Sequence, residues 1–491
     1  MESDTGKRTI KKPSFKYALS MLSVVVLIIS VGLLVFDASI QMLMFISILA
    51  IIPFMMGLGF NYKQVEKSMT KSMSRALQPG LILLTVGILI GAWIASGTVP
   101  TLVYYGIESI SPRFFLLTTL IFSSLVALAI GSSWGAIGTA GIALMGVGAT
   151  IGVPAGITAG AVISGAFFGD KMSPLSDTTN LTPTITGGDL FTHIKHMLWT
   201  TVPSYIITAI IFTVIGLQYK SPSMEAESVN QLTGYLSTNF NLGIIPMIPI
   251  AVLVTLLMMK KPALPAIFIG TAVGGLIAVV YQGFSFSETI SFFYSGYSVE
   301  SGIGVVDELL VRGGLTSMTA LILLFLFALG LGGMLADAGV LEAIIDSFAE
   351  KIQSTGVFVF VTIIVGYVTL AIGGSIYFSS VMTGTLMRPI SERLNLKPEN
   401  LSRVIEDSST QGGALVPWTG AGIFAAGALG VSAGTYIPFC FLAFITPVVS
   451  MFYGITGLTM TKNKEGKQVN KTMPATASGK KKPTKRSLPI L

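Results

Sequence analysis

Gly169-Asp170-Lys171-Met172-Ser173-Pro174-Leu175-Ser176-Asp177-Thr178-Thr179-Asn180-Leu181 is a polar island in an apolar chain. It closes a glycine-rich stretch, Gly131–Gly188, that opens with Gly131-Ser132-Ser133-Trp134-Gly135. Pro174 and Pro183 interrupt helical hydrogen bonding, and glycine admits tight turns and close helix contact. Backbone carbonyls freed at such a break are tolerated at membrane depth only inside protein or beside water. With Asp, Ser, Thr and Asn oxygens added, the stretch predicts an all-oxygen environment for a hard cation such as Na⁺.

The rest of the chain makes that membrane setting unavoidable. Of 491 residues, 52% are hydrophobic and 11% charged, against about 25% charged in a soluble protein. Apolar runs at Tyr17–Phe36, Ile40–Phe60, Pro79–Gly97, Phe114–Gly131, Trp199–Leu217 and Pro262–Tyr281 approach or exceed the roughly 20 residues that cross a hydrocarbon core. A soluble enzyme and a single-span receptor are excluded. So is a disulfide scaffold, because Cys440 is the only cysteine. The first run follows a basic leader but is longer than a signal core of about 7–15 residues, and it reads as a retained span.

The net charge of +7 belongs to the tails: positions 17–460 hold 16 basic and 20 acidic residues. The basic run Lys480–Arg486 therefore reads as a cytoplasmic anchor to anionic lipid and not as a nucleic-acid footprint. Starting inside and alternating gives about fourteen membrane segments. The inner loops 61–78, 171–198, 260–261, 337–355 and 388–403 then hold thirteen Lys/Arg, and the outer loops only Arg113, Lys220 and Arg312. Such asymmetry sets orientation, so both termini are expected in the cytoplasm of a cell-membrane protein. With Cys440 replaced by Ser, single cysteines at Asp37, Asn230 and Ser301 should react with an impermeant thiol reagent on intact cells. A cysteine at Ser478 should not, and labelling there alone would overturn the orientation.

Segment 61–78 carries Lys63, Lys67, Lys71 and Arg75 between Val65, Met69, Met73 and Leu77, the pattern of an amphipathic interfacial helix. Glu342, Asp346 and Glu350 predict a second surface helix.

The halves repeat at an offset near 242. Leu81–Leu84 returns as Leu321–Leu324, Leu128–Ser133 as Leu370–Ser375, and Pro174 nearly meets Pro417. Seven segments per half is odd, so the second copy is inserted upside down, as in secondary transporters. The expected architecture is all-α and polytopic, an inverted-topology repeat with broken, re-entrant helices. Its parts are a basic tail 1–16, a first repeat 17–217, an outer linker 218–242, a second repeat 243–460 and a basic tail 461–491.

Within this frame the candidate cation and proton site is Asp170 and Asp177, with Ser173, Ser176, Thr178, Thr179 and Asn180 supplying oxygens. Carboxylates inside a membrane are usually functional; an interfacial loop in which Lys171 neutralises Asp170 is the plainer alternative. The symmetric region Gly373–Gly427 offers Asp407, Ser408 and Ser409, beside Glu406. Ser132, Ser133, Trp134, Gly373, Gly374 and Ser375 are expected at the cavity and hairpins. The two halves cannot be chemically identical, because Glu406-Asp407 aligns with Ser164-Gly165. His193 and His196 lack the further ligands a metal needs and read as interfacial. No cofactor is implied.

The thirteen residues Gly169–Leu181 resemble the signature of the NhaC-type Na⁺/H⁺ antiporters, and Ser132–Gly135 and His193–Met197 are similar to that family as well. The resemblance covers residues 17–460. It implies membership of the wider ion-transporter superfamily, paired re-entrant hairpins and an elevator-like motion. It also implies Na⁺ and H⁺, with Li⁺ or an organic acid such as malate or lactate, as partners beside the lipid bilayer; a homodimer is compatible with it. Phe168-Gly169-Asp170 faintly resembles an intramembrane aspartyl protease, but no partner motif accompanies it, and HExxH, nucleophile-elbow and phosphate-loop motifs are absent. The reading is a secondary antiporter in which Na⁺ and H⁺ compete for buried carboxylates, with Na⁺/H⁺-coupled malate/lactate exchange as the alternative.

Overall fold

The computed structural model describes residues 10–109, 112–219, 226–259 and 261–463. The first nine residues, Lys220, Lys260 and the basic tail from 464 onward lie outside the described residues. Within them the chain is helical apart from two isolated β-bridges.

Hydrophobic runs became helices close to where composition placed them: Phe15–Leu34, Ile40–Gly57, Leu77–Ala95, Phe115–Ile130 and Ala263–Val280. Polar side chains fix several helix starts. Ser14 caps Phe15–Leu34, Asp189 caps Leu190–Gly216, and Asn61 with Gln64 forms a capping box on Tyr62–Met73. That last helix carries its lysines outward and buries Val65, Ser68 and Ser72. It packs on Thr319–Asp337, where Gly330 admits Met73, so it is braced by protein as well as suited to the interface. The second expected surface helix is short, Val340–Asp346.

Among the described residues seven helices are long and apolar enough to cross a membrane, or nine if each of two bent pairs is one span. The expected count of about fourteen membrane segments included broken and re-entrant ones, so it exceeds the number of described helices that meet the length and composition of a full span. The difference lies in the broken segments, whose halves are individually too short or too polar to span.

Those breaks carry the repeat in detail. Phe115–Ile130 ends at Gly131 (φ +74°) and the chain restarts at Ser133; Thr355–Gly373 ends at Gly374 (φ +62°) and restarts at Ile376. Both positive-φ positions need glycine. A π-helical turn occurs in each half at a different place: Ile137–Gly141 follows Ser133–Ala136 directly after the first break, whereas Glu406–Thr410 follows Pro398–Ile405, one helix later than Ile376–Arg393. A short helix follows later in each half, Asp177–Thr186 and Gly420–Leu429. Each begins at a hydroxyl cap, Ser176 or Thr419, and ends at a left-handed glycine, Gly187 or Gly430.

Within a half the two breaks meet. Ser173 donates to the Leu128 carbonyl at 2.9 Å, and a Cβ on Gly131 would lie 2.6 Å from Leu175. In the second half Gly420 N–H donates to Gly374 O at 2.9 Å and Trp418 Nε1 to Ala371 O at 2.7 Å.

Two cavities flank this arrangement. Pro79–Leu89 and Phe325 border one, while Ile90–Ile94 and Ser317–Leu321 border the other. The C-terminal end of Leu77–Ala95 and the N-terminal end of Thr319–Asp337 thus border the same cavity, so these two helices run in opposite senses.

Candidate cation site

The larger cavity, about 630 Å³, lies where both pairs of breaks converge. Ser132, Ser133 and Trp134 reach it from the first break, Ser176, Asp177 and Thr178 from the second, and Gly374, Ser375 and Tyr377 from the other half. Each segment that restarts after a break does so here, and Ser132, Ser176 and Thr419 cap their own helices.

Among the described residues, Asp170 and Asp177 are the charged side chains lining this cavity. Asp170 sits in the last turn of Ala155–Met172, buried to 7% exposure, with Ser133 and Ser176 beside it. Asp177 opens the next helix and is exposed; Tyr377 Oη donates to its Oδ2 at 3.4 Å. The opposite wall is apolar, with Ile82, Val86, Phe325 and Phe424, and Trp134 stacks on Phe424 with ring centroids 4.5 Å apart. Two carboxylates and several hydroxyls make an environment that attracts a cation and accepts a proton.

Other expected oxygens are engaged elsewhere. Ser173 braces Leu128 O; Thr179 donates to Lys171 O at 3.0 Å; Asn180 donates to Pro174 O at 2.9 Å and Ser176 O at 2.7 Å. These side chains satisfy the carbonyls that the break frees, so the carbonyls are partnered and do not open into the cavity. Gly373 does not line the cavity, where Gly374 and Ser375 do.

Lys171 corrects the simplest reading of the polar island. It does not balance Asp170. Fully buried, its ammonium donates to Asp407 Oδ1 from the second half, and Thr200 Oγ1 donates to the same oxygen at 3.0 Å. Successive helical residues point about 100° apart, so Asp170 and Lys171 face different surroundings. Asp407 is thus a counter-ion outside the cavity. Ser408 bonds back to Val404 O at 2.8 Å, and Ser409 accepts from Ser379 at 2.7 Å, both fully buried. Of the two halves, the first supplies the carboxylates.

The interfacial reading of the histidines is also corrected. His193 is fully buried, with Nδ1 2.7 Å from Ser402 Oγ and Nε2 3.2 Å from Thr182 Oγ1, and Thr182 donates to Glu406 Oε1 at 3.1 Å. His196 Nε2 pairs with Thr459 O at 2.8 Å. Sequence spacing held no signal for the contacts to Ser402, Glu406 and Thr459, which join residues more than 200 positions apart.

The model of the Na⁺/H⁺ antiporter family matches residues 165–458. The malate-2H⁺/Na⁺-lactate antiporter of Bacillus subtilis (strain 168) is 40% identical over 429 residues, covering 87% of this chain and 92% of the relative. The Na⁺/H⁺ antiporter NhaC of Alkalihalophilus pseudofirmus is 35% identical over 92% of this chain and 98% of its own length. The arginine/ornithine antiporter ArcD of Halobacterium salinarum is 33% identical over 92% and 93%.

Proposed function

Because the chain belongs to the Na⁺/H⁺ antiporter family, we propose that this multi-pass membrane protein exchanges Na⁺ for H⁺ through competing occupancy of Asp170 and Asp177. The family consists of transporters, so the protein is a secondary antiporter and not an enzyme. The observation that carries the ion assignment is the cavity itself, where two carboxylates are the charged lining groups. A carboxylate binds Na⁺ or H⁺ but not both at one oxygen, and a charged pair in a low-dielectric site resists movement until it is neutralised. Ser133, Ser176 and Thr178 supply further oxygens; Ser173, Thr179 and Asn180 hold the break in shape. Oppositely directed repeats give one central site alternate exposure to the two sides, with both termini in the cytoplasm.

The volume of the cavity favours a second reading, coupled exchange of malate and lactate. A space of about 630 Å³ exceeds what a bare ion requires. With two acids lining it and no basic side chain among the described lining residues, an organic anion enters alongside cations that neutralise them. That is the logic in the name of the Bacillus relative, which pairs malate with two protons and lactate with one Na⁺. Helix N-termini at Ser176, Ser375 and Thr419 favour a carboxylate once the acids are neutral.

Purified protein in liposomes separates the readings. A Na⁺ or Li⁺ gradient alone should drive H⁺ countermovement, K⁺ should not, and raising external H⁺ should weaken apparent Na⁺ affinity. Exchange that appears only with malate or lactate assigns the second reading. No Na⁺ dependence under any of these conditions would sink both.

A further inference from the structure

Residues 457–463 follow the last described helix, Phe441–Thr456, and fold back onto the segment 395–403. Lys397 N–H donates to Thr461 O and Asn463 N–H to Asn395 O, each at 3.0 Å. Asn400 and Thr461 bond in both directions, Nδ2 to Thr461 O at 2.7 Å and Thr461 N–H to Asn400 Oδ1 at 3.0 Å. Thr461 Oγ1 also donates to Glu399 Oε1 at 3.0 Å. These bonds staple the end of the membrane body to the helix that carries Arg403.

Within the staple, Thr459 has φ +76°. A β-branched residue in that region is a true outlier, and such strain persists only where surrounding contacts over-determine it. Here they do. Its carbonyl pairs with His196 Nε2 at 2.8 Å and its hydroxyl accepts from Arg403 Nη1 at 2.7 Å. Met460 Sδ accepts from Arg403 Nη2 at 3.4 Å, and the Tyr453 ring lies 5.9 Å from the guanidinium.

Arg403 is fully buried, and its remaining nitrogen, Nε, stands 4.0 Å from Asp407 Oδ2. Neither of those two atoms has a hydrogen-bond partner. The other oxygen of Asp407 is taken by Lys171 and Thr200. One carboxylate is therefore offered two cations and bonds to one, while the staple keeps the second roughly 1 Å beyond hydrogen-bond reach.

We propose that Arg403 is a positioning residue for ion exchange, with the Thr459–Met460 staple setting how much of Asp407 is left to neutralise Lys171. Lys171 adjoins Asp170, so this rests on the reading that Asp170 takes the cation. Paired with Asp407, Lys171 contributes a nearly neutral dipole. If Arg403 is released and closes on Oδ2, Lys171 is less compensated, and a cation at Asp170 binds more weakly. Removing the Arg403 charge acts in the opposite direction.

The test uses the full chain in proteoliposomes, reading the Na⁺ dependence of proton flux for wild type, T459A, T459S, R403Q and the double variant T459A/R403Q. T459A should raise half-saturating Na⁺ by about fivefold with little change in maximal rate. T459S keeps the hydroxyl and should match wild type. R403Q should lower half-saturating Na⁺ or leave it unchanged. Adding T459A to R403Q should then have no further effect, because the staple acts only through Arg403. A T459A shift of full size in the R403Q background would overturn the proposal. So would T459A and T459S losing maximal rate equally at constant half-saturation, since that marks a merely structural segment. Should wild-type flux not respond to Na⁺ alone, Na⁺/H⁺ exchange fails separately. The same five proteins are then compared by Na⁺-dependent lactate uptake, where the T459A shift and its loss in the double variant remain required.

Discussion

Asp170→Asn and Asp177→Asn should each reduce Na⁺-driven proton movement by about 100-fold or more while the protein still inserts. Asparagine keeps the size of the side chain and one oxygen but exchanges no proton, so it isolates the titrating role. The geometry makes the two variants informative in different ways. Asp170 is buried with Ser133 and Ser176 beside it, so an amide there has little room to choose its partners, and some loss of stability accompanies the loss of exchange. Asp177 is exposed at the first turn of its helix, where asparagine is well tolerated, and its variant should fold as wild type. Na⁺-dependent pH change in proteoliposomes across pH 6–9 reads both. Competition between Na⁺ and H⁺ should vanish with the exchange. Unchanged flux in both variants, at normal reconstitution, would make these acids anchors of the break and remove the basis of the proposed site.

Breaking the buried ion pair should have the other large effect, this time on stability. Asp407→Leu removes the carboxylate that Lys171 bonds among fully buried atoms and the nearest carboxylate to Arg403 Nε as well. Losing one partner of such a pair costs about 3–5 kcal/mol. Lys171→Met should cost less, because Arg403 Nε, already 4.0 Å from Asp407 Oδ2, is placed to take over the carboxylate. The double variant should recover much of the loss of Asp407→Leu, since no Lys171 charge remains to lack that carboxylate. Thermal unfolding of the purified protein in detergent checks the order: Asp407→Leu lowest, then the double variant, with Lys171→Met nearest wild type. If the two single losses simply added in the double variant, the pair would not be the interaction that matters.

Membrane class and helix positions were legible because hydrophobicity is a local property, summed over neighbours along the chain. The predicted run Phe114–Gly131 and the helix Phe115–Ile130 differ by one residue at each end. The breaks were partly legible for the same reason: Pro174 stands in the gap between two helices, and Gly131 and Gly374 each stop a helix in a conformation other residues avoid, whereas Pro183, also expected to interrupt a helix, lies within Asp177–Thr186. The number of spans was not. An apolar stretch that restarts after a break reads like a second crossing, and only packing shows the halves meeting at their tips. At the site, residue types were local information and their engagements were not. Ser173, Thr179 and Asn180 looked like ligands, yet each has a freed carbonyl about 3 Å away, and satisfying a buried backbone group takes precedence over lining a cavity. Lys171 stands beside Asp170 in sequence but pairs with Asp407, 236 positions away. Local composition was enough for an apolar, broken helical chain with acids at its breaks. Tertiary structure alone decided which acids face the cavity and which are neutralised behind it. The reason is that a helix turns neighbouring side chains apart, and a buried charge pairs with whatever opposite charge the fold brings within reach.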